Sequence, residues 1–179
     1  MLSGDPIEVP AAAVAEAKAY LRVELAGEDP LIERLVGAAA ELCEQFTGRA
    51  LLARGFSELV PASAAWKRLA ATPVLAITAV EALPPDGAAS ALAAGSYAVD
   101  IDANGDGWVR VTQVGEAKRV RVAYQAGLAT DWPELPGALR QGMLRLAAHC
   151  YAHRERADDS GPPAAVTALW RPWRRLRVA

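Results

Sequence analysis

Two hydrophobic rhythms share this chain, and their order limits the possible folds more than any single motif does. From Leu31 the apolar residues recur at helical spacing through Leu35, Ala39, Leu42 and Phe46, with Ile32, Val36 and Cys43 widening the face. Glu33, Arg34, Glu41 and Glu44 fall on the other side, which predicts an amphipathic helix. Asp29 suits its N-cap, Pro30 its first position and Gly48 its stop. A shorter helix is expected after Pro10, over AAAVAEAKAYLRVEL, broken by Gly27.

After Arg49 the rhythm changes. Phe56–Val60, Trp66–Ala70, Ile77–Leu83, Ser96–Ile101, Trp108–Val111 and Arg119–Tyr124 are short runs separated by turn residues, which predicts strands. In KRVRVAYQ, Val120, Val122 and Tyr124 alternate with Arg119, Arg121 and Ala123, the pattern of a strand with one wet face. The stretch from Pro84 to Gly95 reads as a loop. Helical spacing returns after WPELP, with Leu139, Met143, Leu146 and Cys150 on one side, and is expected to run to about Arg156. DDSGPP breaks it, and AAVTALW gives a last helical turn before Pro172.

The expected fold is therefore α+β: a mainly helical core bundle from both chain ends, residues 1–50 and 132–179, with a small antiparallel β domain, residues 51–131, inserted. The chain has 179 residues, 53% hydrophobic and 22% charged, which excludes a wholly disordered chain. The opening MLSGDPIEVP lacks the positive start of a secretory signal, and no apolar run reaches membrane-spanning length. Cys43 and Cys150 both fall in helical patterns and are expected to be buried free thiols of a reducing compartment.

The net charge of −2 hides a gradient. Acids outnumber bases over residues 1–50, and bases outnumber acids over residues 132–179. Such asymmetry serves nucleic acid, contact with a partner or other copies, or neutralisation within one fold.

DIDANGDG, from Asp100 to Gly107, imitates the opening of an EF-hand loop. The match fails at the twelfth position, where Val111 stands in place of a bidentate glutamate, and strands flank it. Asn104-Gly105 and Asp106-Gly107 are instead hairpin signals. His149 and His153 are four apart on one helix, but no second His/Cys cluster completes a metal site. No nucleophile elbow, P-loop or dinucleotide fingerprint occurs. The expectation is no enzyme, no catalytic residue, no metal and no cofactor.

What remains is LWRPWRRLRVA, from Leu169 to Ala179. Arg171, Arg174, Arg175 and Arg177 suit acidic groups or phosphates, and Trp170 and Trp173 suit apolar pockets or base stacking. Docking on a protein partner, packing on its own core and nucleic-acid binding all stay open.

EAKAYLRVE, EDPLIERLVGAAAELCEQFTGRALL, LPGALRQGMLRLAAHCYAHRE and ALWRPWRRLRV, in that order, resemble the head–tail connector (adaptor) proteins of long-tailed bacteriophages. The resemblance is to the longer version with a β insertion, found in prophages and in the gene transfer agents of alphaproteobacteria. It covers the two helical ends, about half the chain, and matches the β region only in position and length. It implies a structural ring protein, typically a dodecamer, beneath the portal at the head–tail junction of a phage-like particle assembled in the bacterial cytoplasm. The ring would extend the DNA channel, letting DNA pass without sequence-specific binding or any membrane contact. A downstream connector (stopper) or tail protein would bind its other side. Leu169, Trp170, Arg171, Trp173, Arg174, Arg175, Leu176 and Arg177 would form the segment that docks on the portal protein. The alternative is a nucleic-acid-binding accessory protein using the same tail.

Overall fold

The computed structural model describes residues 1–84, 88–113, 117–153 and 161–175. Its contacts divide the chain into two units: Ile7–Leu52 with Ala129–Ala179, and Met1–Pro6 with Ala53–Leu128.

The first unit is helical. Helix α1 (Ala11–Leu21) ends where Arg22 turns left-handed, φ 57°, several residues before Gly27. A 3-10 turn at Ala26–Glu28 leads into α2 (Asp29–Thr47). Glu28 holds the N-cap position without a side-chain bond, and Asp29 is the first helical residue rather than the cap. Its carboxylate there favours the positive end of the helix and pairs with Lys18 of α1. Gly48, φ +69°, closes α2 by donating its N–H to the Glu44 carbonyl at 2.8 Å.

The buried row of α2 is Ile32, Val36, Ala39, Ala40, Cys43 and Thr47. Leu31 and Leu35, expected at the centre of the apolar side, lie half-buried on its flank, and Leu42 is exposed. A turn at Trp132–Glu134, capped by Asp131, precedes α3 (Gly137–Ala152). The expected continuation to Arg156 and the first part of the DDSGPP break lie outside the described residues. Helix α4 (Ala164–Trp170) follows. Cys43 is buried as expected, but Cys150 is exposed: it stands near the end of α3, beyond Ala147, the last buried residue of that helix.

The second unit holds two antiparallel sheets. Strands β1 (Leu2–Gly4), β2 (Arg54–Pro61), β4 (Val74–Leu83), β5 (Ser90–Ala91) and β8 (Arg119–Ala126) form a sheet in the order β1-β2-β8-β4-β5. Strands β3 (Lys67–Arg68), β6 (Tyr97–Ile101) and β7 (Gly107–Val111) form another in the order β3-β7-β6. β8 is central, with Val122 opposite Glu58 of β2 and Val80 of β4. Its Val120, Val122, Tyr124 and Ala126 are buried and Arg119, Arg121 and Gln125 exposed, so the alternation in KRVRVAYQ describes a real pleat. Tyr124 stacks on Phe56 at 5.7 Å. Its hydroxyl donates to Glu58 Oε2 at 3.0 Å and accepts from the Ala71 N–H at 3.1 Å. Burial pushes the Tyr124 hydroxyl well above its usual pKa.

A mainly helical protein with a small β insertion is not what forms. Among the described residues the fold is α+β with four helices and two antiparallel sheets, 38% helix and 28% strand, so neither class is an appendage of the other. The difference has a physical cause. Strand runs read one at a time carry no pairing information, whereas ladders recruit flanking residues: β4 begins at Val74 rather than Ile77, and the chain's opening residues become β1.

Candidate docking surface

The C-terminal segment is built on α2 and α3. Val166 and Trp170 are four residues apart on α4, so both point to the same side, and both are buried. Trp170 is 0% exposed. Its ring sits 5.9 Å from that of Phe46 on α2, tilted by 53°, the kind of arrangement aromatic pairs favour. Its indole Nε1–H points at the Leu139 carbonyl, 3.4 Å away on α3. Gly142 leaves the room it occupies: a Cβ there would come 2.8 Å from Cδ1 and 2.9 Å from Cε2 of the indole.

Beyond Trp170 a 3-10 turn, Arg171–Trp173, redirects the chain along the end of α2. The Arg175 N–H donates to the Thr47 carbonyl at 2.8 Å, satisfying one of the carbonyls that a helix end leaves open. Arg49 Nε donates to the Trp173 carbonyl at 3.1 Å. The Arg174 guanidinium lies 5.8 Å from the centre of the Phe46 ring. Three arginines, Arg49, Arg174 and Arg175, thus collect at the C-terminal end of α2, where the helix dipole favours cations.

The sequence-predicted docking residues therefore have different surroundings. Trp170 is an internal anchor. Arg171 and Arg174 are exposed, and Leu169, Trp173 and Arg175 are half-buried. Leu176 and Arg177 lie outside the described residues. Sequence reasoning missed the partners that hold the segment, Phe46, Arg49 and Gly142. The signal was the spacing of Val166 and Trp170, which matches a one-sided helical turn.

The other motifs are occupied by structural bonds. Asp102 Oδ1 accepts the N–H groups of Asn104 (2.8 Å) and Asp106 (3.0 Å), and Oδ2 accepts Trp108 Nε1–H (3.1 Å). Asp106 accepts the Thr72 hydroxyl at 3.2 Å and faces Arg68 at 3.7 Å. These carboxylates pin the β6–β7 hairpin. The rings of His149 and His153 lie 4.3 Å apart. Among the described residues no group of three or more His, Cys, Asp or Glu is placed to hold a metal ion. No helix among them is long and apolar enough to cross a membrane.

No family model matches the sequence, and no curated protein matches it. Solved structures do. A chain in the neck of an empty gene transfer agent particle, computed with C6 symmetry, is 27% identical with a TM-score of 0.79, over 100% of this chain and 97% of that one. A chain in the neck of the native particle, computed with C12 symmetry, gives the same identity, coverage and TM-score: 27%, 100%, 97% and 0.79. A chain in the virion of a native gene transfer agent is 28% identical with a TM-score of 0.75, again over 100% of this chain and 97% of that one. The structural neighbours are thus particle neck and virion components, matched through both units.

Proposed function

We propose that this chain is a structural head–tail adaptor of a gene transfer agent or tailed-phage particle. It forms a ring, a dodecamer, beneath the portal, extends the DNA channel and joins capsid to tail. The observation that carries this reading is the likeness to gene transfer agent neck chains over the full length of this chain, in both the helical and the β unit. The symmetry of those neck structures, C6 and C12, supports a ring. The role is structural rather than enzymatic, and DNA passes through without sequence-specific contact.

Within this reading the docking surface is the outer side of the C-terminal segment. Arg171, Arg174 and Arg175 meet acidic groups of the portal, Leu169 and Trp173 add apolar contact, and Leu176 and Arg177 belong to the same docking set. Trp170 contributes from inside, by holding α4 to the bundle. That burial weakens the accessory-protein alternative, because one of its two base-stacking platforms is used in the core.

Deleting the gene in the source cell tests the proposal. The expected result by electron microscopy is separate heads and tails; intact tailed particles would overturn it. For the docking surface, the full-length Arg171→Ala/Arg174→Ala variant is expected to keep its melting temperature and to recover at least tenfold less portal in a pull-down. Undiminished recovery would refute portal docking by this segment. Point variants are the right tool, since truncation at Gly161 would remove Trp170 from the core.

A further inference from the structure

Resting on the ring reading above, we infer that α2 carries both halves of the contact between neighbouring copies: an apolar stripe on one flank and a groove on the other. A cyclic ring needs two different, complementary patches on each copy, facing in opposite directions. The helical unit has such a pair.

The groove, about 570 Å³, lies between α1 and the first turns of α2 and is lined by Val9, Val14, Lys18, Asp29 and Glu33 among others. It belongs to the Glu33–Gly37 side of α2, where Val9 lies against Gly37: a Cβ on the glycine would be 3.3 Å from Val9 Cγ2. Leu35 is two residues from both Glu33 and Gly37, roughly 200° around the helix and so on the opposite flank. Leu31, Ala38 and Leu42 continue that flank at helical spacing. Leu42 is 39% exposed and Ala38 is exposed, while Leu31 and Leu35 are half-buried.

Charge matches the two sides. The groove's rim carries Asp29 and Glu33 against the single cation Lys18. Arg34, exposed, borders the stripe beside Leu31 and Ala38. With the stripe of one copy in the groove of the next, Leu35 and Leu31 reach the Val9 and Val14 floor, and Arg34 faces the neighbour's Glu33. Repeating one head-to-tail contact around an axis closes a ring without any self-complementary surface.

The test uses the full chain in purified particles, in a Cys150→Ser background, with Leu35→Cys and Val14→Cys combined. Oxidation with copper phenanthroline is expected to give a ladder of disulfide-linked multimers that neither single variant gives. Should glutaraldehyde produce a ladder on the same particles and the cysteine pair none, the ring stands and this interface is wrong. Should neither produce multimers, the ring reading falls and this inference with it. A second measurement does not depend on the cysteines. Arg34→Glu is expected to lower incorporation into particles at least tenfold, and Glu33→Arg in the same chain to restore it. Normal incorporation of Arg34→Glu, or no rescue, would also overturn the contact.

Discussion

Trp170 fills the space that a methyl group on Gly142 would need, with three indole atoms inside 3 Å of that position. An exposed helical glycine gains about 1 kcal/mol on conversion to alanine. Here overpacking opposes that gain and costs about 1–3 kcal/mol. Gly142→Ala is therefore expected to lower the melting temperature of the helical unit, read from helical circular dichroism. Trp170→Ala, which empties the same site, is expected to cost about 3–5 kcal/mol. A stabilised Gly142→Ala variant would show that the indole has room to move.

Glu16 and Trp132 give a second test. Glu16 Oε2 accepts the indole N–H of buried Trp132 at 2.6 Å and faces Arg140 at 3.6 Å. Glu16→Ala leaves that buried donor without its acceptor, a loss of about 1–3 kcal/mol. Glu16→Gln keeps an acceptor and is expected to lose less than half as much in urea denaturation. Equal losses from the two variants would mean that the carboxylate's charge, not the hydrogen bond, is what counts.

The two thiols should behave oppositely. Exposed Cys150 is expected to react with a thiol reagent at pH 8 within minutes, and Cys43 only on unfolding. Burial first, and then the neighbouring Glu44 carboxylate, push the Cys43 thiol from 9.0 up to about 12. Between those values the unfolded chain has released this proton and the folded one has kept it. Stability therefore falls as pH rises through this range, by at most about 1.4 kcal/mol per pH unit for one proton. Tyr124, also raised by burial, adds to the fall at the upper end. Cys43→Ala should flatten the slope of denaturation midpoint against pH above 9; an unchanged slope would remove Cys43 as its source.

Asp102 is expected to matter for the hairpin and not for calcium. Asp102→Ala removes the acceptor of three hydrogen bonds and should destabilise the β unit by about 1–3 kcal/mol. Millimolar calcium should leave the melting temperature of the natural chain unchanged. An upward shift with calcium would reopen DIDANGDG as a metal loop.

Much of this was legible in the sequence because it is local. The periodicities of α1 to α3 and the alternation of β8 report one face of one element, and six of the eight strands among the described residues lie over stretches with their own β signal. β1 and β5 do not: LSG and SA carry no strand pattern and pair only because a neighbouring edge is available. The extent of the β layer was hidden for the same reason, since pairing joins residues as far apart as Arg54 and Ala126. The orientation of α2 also depended on partners. Leu35 and Val36 are equally apolar, and only the helices packed against them decide which faces in. In the C-terminal segment, the arginines and Trp173 could be read as a charged, aromatic strip, but the fate of Trp170 depended on Gly142, which no periodicity marks.

Trp170 also sets a schedule for making the protein. The helical unit is split in sequence, and its last buried aromatic side chain leaves the ribosome well after the whole β unit has emerged. The β unit can be complete while the bundle still has an empty seat. A chain broken off before α4 would carry a finished β unit beside a bundle that cannot close. Closure of the bundle therefore waits on the last stretch of chain to be made, the one that carries Trp170.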